Sequence, residues 1–126
     1  MRLFLVVCAG GAIGAGLRYL VNVGTVRWLG AGFPWGTIVV NLAGSFLMGV
    51  LIEALAHRLD ATPELRLFVA TGILGGLTTF STFSLDVAVL VQRGDHAMAA
   101  AYLLASVALG ILALFAGLHM GRGMFA

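Results

Sequence analysis

Long stretches of this chain carry no Asp, Glu, Lys or Arg. They run from Leu3 to Leu17, Trp28 to Ile52, Leu67 to Leu85 and Ala97 to Gly121, and take up 84 of the 126 residues. A membrane-crossing helix needs about 20 mainly apolar residues at a rise of about 1.5 Å each. The last three runs meet that length, and the first does so by continuing past Arg18 to about Val23. Four spans follow. β-Branched clusters such as Ile38-Val39-Val40 do not argue for membrane strands, because the runs exceed the roughly 9–11 residues of such a strand and lack its alternation. A cleavable signal peptide over the first 20 or so residues is disfavoured, because the run ends in Arg18-Tyr19 without a small-x-small cleavage site.

Composition excludes the other broad classes. Hydrophobic residues make up 61% of the chain and charged residues only 10%, against about a quarter in soluble domains. A chain this short buries only about two-thirds of its unfolded surface, so a soluble monomer would leave apolar surface in water. Seven Arg, no Lys and a net charge of +2 are too weak a balance for nucleic acid. Cys8 is the sole cysteine, which rules out an internal disulfide and reads as a small core hydrophobe.

The connections are expected to be short: Gly24 to about Pro34, His57 to Arg66, and Arg93 to His96. Residues 1–126 therefore read as a single four-helix transmembrane domain. Four spans put both termini on one side, with Arg2, Arg58, Arg66 and Arg122, while Arg27 and Arg93 lie opposite, Arg18 near them. Such a feeble bias gives little orientation and permits insertion both ways round, hence an antiparallel dimer of inverted copies.

Polar side chains inside the apolar runs need partners or a water-filled cavity. Thr37, Asn41 and Ser45 share one face of span two at i, i+4 and i+8, and Tyr102 and Ser106 repeat that spacing in span four, with Gly110 next. Span three concentrates Thr78, Thr79, Ser81, Thr82 and Ser84 in seven residues. Ser and Thr commonly bond back to their own helix, but the Asn41 carboxamide has more donors and acceptors than its own helix satisfies. Gly75-Gly76 ahead of the hydroxyl-rich stretch leaves two outcomes open: a broken helix, whose freed backbone groups hold ions, or a tight helix crossing. Phe80 and Phe83 carry partly positive ring edges beside those hydroxyls, an arrangement compatible with a small anion. Arg18 reads as a snorkelling side chain or a positive vestibule group, and Asp86 as a partner for an arginine or a cap on a water-filled mouth. His57, His96 and His119 have no metal-ligand spacing.

Three segments, Gly10 to Tyr19, Gly36 to Phe46, and Gly75-Gly76-Leu77-Thr78-Thr79-Phe80-Ser81-Thr82-Phe83-Ser84, resemble the signatures of the small bacterial fluoride channels, the Fluc or CrcB family. The third is the most specific, and the resemblance covers essentially the whole chain. It implies an all-α integral membrane fold of four transmembrane helices with the third broken, assembled as an antiparallel dual-topology homodimer in the bacterial inner membrane. It further implies two fluoride pores along the dimer interface, passive export of fluoride that limits its toxicity, and a structural sodium ion at the dimer centre. Carried over to this sequence, Asn41 would donate to fluoride, Phe80 and Phe83 would present ring edges, and Ser81, Thr82, Tyr102 and Ser106 would continue the polar track. Gly75 and Thr78 would offer backbone carbonyls to sodium, and Arg18 would be structural or in the vestibule.

Other classes fit less well. A small proton-coupled multidrug-type exporter of similar length places an acidic residue in the middle of span one, and none is present. A membrane scaffold would not need the aligned polar stripes. An enzyme would need a nucleophile-base pair or a metal-ligand cluster, and no such arrangement stands out.

Overall fold

A backbone inside hydrocarbon has no water to bond to, so each crossing must satisfy its own N–H and C=O groups, and a helix does that within one segment. The computed structural model, which describes residues 1–57 and 60–126, is helical throughout, with no strand among the described residues. Its elements are α1 (Arg2–Leu29), α2 (Trp35–His57), α3 (Pro63–Arg66), a wider π-helical stretch (Leu67–Leu74), α4 (Gly75–Leu77), α5 (Phe80–Gln92) and α6 (His96–Phe125). Four segments are long and apolar enough to cross a membrane: α1, α2, Pro63–Gln92 and α6. Large apolar side chains such as Phe4, Leu20, Leu104, Leu112 and Phe115 stand exposed along them, as lipid-facing surface requires.

The first span is longer than its charge-free run. α1 continues through Arg18 and Gly24 to Leu29, so the first connection shrinks to residues 30–34. A single arginine does not end a helix whose backbone bonds are intact, because its stem lies along the helix while the head reaches for water. Gly30 closes α1 at φ 81°, and Gly94 turns the chain from α5 into α6 at φ 83°. Around Gly94 the last carbonyls of α5 are taken up by Arg93 N–H to Val89 O and Asp95 N–H to Leu90 O, both at 3.0 Å. Arg58, counted above with the charges of one side, lies outside the described residues.

Packing pairs α2 with α6 along their lengths, and α1 with the π-helical stretch and α4. Glycines make both approaches possible. A Cβ on Gly76 would stand 2.7 Å from Gly11 O, and one on Gly14 would meet Leu77 N at 2.8 Å. Gly75 and Gly76 are thus helical, and Gly76 serves a tight crossing, the second of the two outcomes open from the sequence. On the other pair, a Cβ on Gly49 would lie 2.7 Å from Leu118 N, and one on Gly117 would lie 3.1 Å from Val50 N. Two small clusters complete the core. Ile38, Phe83, Leu90, Ala99 and Tyr102 form one, and Val40, Leu74 and Leu77 the other.

Candidate functional site

Between α4 and α5 the backbone leaves the helix for two residues. Thr78 has φ −79° and ψ 155°, and Thr79 has φ −153° and ψ 122°, both extended. The interruption therefore lies just beyond the Gly75-Gly76 pair, with Leu77 between. Thr78 is not wholly lost to the preceding turn, since its N–H and its hydroxyl both donate to Leu74 O, at 3.1 and 3.0 Å. Gly44 leaves room for it in α2, because a Cβ there would strike Thr78 Cγ2.

Two extended residues in a membrane protein would leave backbone groups unpaired at a cost of several kcal/mol each. Asn41, from the middle of α2, resolves this for Thr79. Its Oδ1 accepts the Thr79 N–H at 2.7 Å, and its Nδ2 donates to Thr79 O at 3.0 Å. One carboxamide thus satisfies both main-chain groups of one residue, as a neighbouring strand would. Its remaining N–H is a free donor in principle. Thr79 then caps α5: its Oγ1 accepts the Thr82 N–H at 3.2 Å, as an N-cap hydroxyl does. The same oxygen bonds Thr82 Oγ1 at 3.1 Å and stands 3.4 Å from Ser81 Oγ.

A groove of about 580 Å³ opens beside this point. It is lined by Asn41, Ser45, Gly75, Thr78, Phe80, Phe83 and Ser106, together with Thr79, Gly44, Met48 and the α6 residues Val107, Gly110, Ile111 and Leu114. Phe80 stands 79% exposed in the single chain while Phe83 is buried, their centroids 5.7 Å apart. The buried Ser106 Oγ has no hydrogen-bond partner.

Tyr102 is 1% exposed and sits behind the groove. Phe83 packs on its ring at 5.4 Å, and Phe33, from the first connection, meets it edge-on at 5.4 Å and 90°. Its hydroxyl donates to Asp86 Oδ2 at 2.9 Å. Asp86 in turn lines a second, smaller cleft of about 190 Å³ with Arg93 and the loop residues Ala31, Gly32 and Pro34. Its partner is therefore a tyrosine, where the sequence suggested an arginine or a water-filled mouth.

Of the residues singled out from the sequence, Asn41, Phe80, Phe83, Ser106, Gly75 and Thr78 come together at the groove. Ser81 and Thr82 turn to Thr79, Tyr102 lies one layer back, and Arg18 is half-buried on α1 away from the groove lining. Two residues escaped the sequence reading. Thr79 matters through its main chain, which no side-chain pattern reports. Glu53, near the C-terminal end of α2, is only 6% exposed, accepting from Arg122 Nε at 2.9 Å and lying 3.2 Å from His57 Nε2. A carboxylate one helical turn before a histidine was its only signal. Among the described residues, no group of three His, Cys, Asp or Glu could hold a metal ion; the oxygens at the groove are main-chain, hydroxyl and carboxamide ones.

Comparison with known proteins gives the family. Three relatives named fluoride-specific ion channel FluC align over nearly their full lengths. That of Chelativorans sp. (strain BNC1) is 58% identical over 120 residues, 95% of this chain and 96% of the relative. That of Agrobacterium fabrum is 55% identical over 119 residues, 94% and 95% of the two chains, and that of Rhizobium meliloti is 51% identical over 124 residues, 98% and 99%. The family model described as CrcB-like protein, Camphor Resistance (CrcB), matches residues 5–118. With four helices able to cross a bilayer and this match over nearly its whole length, the chain is a multi-pass bacterial membrane protein that belongs to the CrcB family.

Proposed function

We propose that this protein is a fluoride-selective ion channel, not an enzyme, through which fluoride leaves the cell passively and so stays below toxic levels. The observation that carries the reading is the 51–58% identity, over at least 94% of this chain, to relatives named fluoride-specific ion channels.

The groove chemistry supports it. Fluoride is small and strongly hydrated, so a pore must replace its water with several donors at close range while staying too narrow for a larger halide. The second N–H of Asn41, the partnerless Ser106 hydroxyl and the edges of Phe80 and Phe83 are such donors. Among the described residues no arginine lines the groove, and a full positive charge there would hold the ion too firmly to conduct. Beyond Ser106 the pathway continues to Tyr102, with Ser81 and Thr82 at the start of α5, and Arg18 is structural or keeps a vestibule positive.

The working unit is an antiparallel homodimer of dual topology, with the third span acting as two half-helices that meet at Thr78–Thr79. One chain presents an open groove with an exposed Phe80, and a second, inverted copy would close it. A structural sodium ion would lie between the copies, held by the Gly75 and Thr78 carbonyls. The donor set fits a hard cation, because Gly75 and Thr78 both line the groove and neither carbonyl receives the donor that a continuing helix would supply: Thr79 N–H goes to Asn41 and Thr82 N–H to Thr79 Oγ1. Bound there, sodium would supply positive charge that satisfies these carbonyls in a dry interface.

Purified protein in liposomes tests the channel. Expected is fluoride efflux with chloride left behind and no need for a proton gradient. Equal chloride flux would overturn the channel reading, and dependence on a pH gradient would favour the proton-coupled exporter. Asn41→Asp is expected to stop efflux by placing an anion in the path, and normal efflux in that variant would remove Asn41 from it.

A further inference from the structure

In an unbroken helix the Gly75 carbonyl would accept from Thr79 N–H, four residues on. That N–H points instead at Asn41 Oδ1, 2.7 Å away. The Gly75 carbonyl is therefore the first in α4 to lose its ladder donor, since Leu74 O still receives two hydrogen bonds from Thr78. The cause is a side chain on another helix, 38 residues earlier in the chain.

We propose that Asn41 is the positioning residue of a monovalent-cation site at the Thr78–Thr79 interruption, acting through Thr79. By taking the Thr79 N–H it leaves the Gly75 carbonyl open to a cation. Its donation to Thr79 O at 3.0 Å is a second support of the same extended residue, and the opening of the Gly75 carbonyl does not depend on it. The carboxamide has one N–H left over, on a residue that lines the groove. A single side chain thus assembles the cation site with its acceptor and serves the anion path with its spare donor. This inference rests on the sodium reading above and adds the residue that builds the site.

The division of labour makes the test specific. Asn41→Asp retains an oxygen that accepts the Thr79 N–H and loses both donors, whereas Asn41→Ala loses both hydrogen bonds to Thr79 and the spare donor. Thermal unfolding of the purified full-length protein is followed without fluoride, in sodium chloride against N-methylglucamine chloride. A ligand that binds only the folded state raises the melting temperature with its concentration. Expected is a saturable rise with sodium for the unmodified protein and for Asn41→Asp. For Asn41→Ala the sodium needed for half the rise increases by about ten-fold or more, the size expected from losing one partly buried hydrogen-bonded support. Asn41→Leu, similar in volume and without an acceptor, replaces the alanine variant if that fails to fold.

An unchanged sodium response in Asn41→Ala or Asn41→Leu overturns the inference, and so does loss of the response in Asn41→Asp. Absence of a sodium response in the unmodified protein instead overturns the underlying sodium reading. Readings of fluoride efflux on the same variants separate the two roles, since Asn41→Asp is expected to respond to sodium yet not conduct.

Discussion

The Tyr102 hydroxyl donates to Asp86 Oδ2 at 2.9 Å, joining α6 to α5 at a tyrosine that is almost wholly enclosed. The bond ties the ring, which packs on Phe33 and Phe83, to the helix that begins at the Thr78–Thr79 interruption. Removing the hydroxyl while keeping the ring isolates its contribution. Tyr102→Phe is expected to lower stability by about 1–2 kcal/mol, since it leaves a partly enclosed carboxylate without its donor, and to slow fluoride efflux. Asp86→Asn keeps an acceptor and is expected to lose less stability. Chemical unfolding of the two variants in the same detergent checks the order.

Ser106 offers a cleaner separation of stability from conduction. Its buried hydroxyl has no hydrogen-bond partner, so replacing it with a methyl group removes an unsatisfied polar atom. Ser106→Ala is expected to hold or raise the melting temperature, by up to about 1 kcal/mol in stability, while fluoride efflux falls. Undiminished efflux would mean that the hydroxyl is not on the path.

Glu53 and Arg122 link the ends of α2 and α6. An enclosed carboxylate that loses one partner keeps its desolvation cost without its attraction. Arg122→Met is expected to destabilise by about 1–2 kcal/mol, at the low end for such pairs because the arginine is largely exposed and His57 still lies 3.2 Å from the carboxylate. Adding Glu53→Met should recover most of that loss. A double-mutant cycle in thermal unfolding measures it, and additive losses would show that the pair carries no coupling.

The glycine crossings predict a contrast between positions of the same residue type. Gly49→Ala is expected to destabilise strongly, by about 2 kcal/mol or more, because its methyl group would run into the main chain of α6 near Leu118. Gly123→Ala, with nothing within 4 Å of the added carbon, should be neutral or stabilise by up to about 1 kcal/mol through helix propensity. Yield and melting temperature of the folded protein report the difference.

What could be read from the residues alone was whatever depends on local composition and spacing. Charge-free runs marked four crossings because hydrocarbon rejects charge wherever it falls in the chain, and the stripes Thr37-Asn41-Ser45 and Tyr102-Ser106 follow from helical periodicity. The dense hydroxyl segment Thr78–Ser84 also pointed to the right neighbourhood, and its motif to the family. Whether Gly75-Gly76 broke the helix or packed against another remained open, because a glycine pair satisfies either role until its neighbours are known.

Tertiary structure decided the rest, and in each case the reason is a partner distant in sequence. Gly76 became a crossing point because Gly11 lies against it, and the interruption fell at Thr78–Thr79 because Asn41 stands ready to accept and donate there. Glu53 tolerates burial because α6 brings Arg122 alongside. Asn41 shows the limit most plainly: sequence identified a carboxamide with unmet hydrogen-bonding capacity, but only the packing of α2 against the interrupted span determined that two of its contacts belong to Thr79. Hydrogen bonds are short-ranged and directional, so which donors are spent and which stay free is settled only once the helices have met.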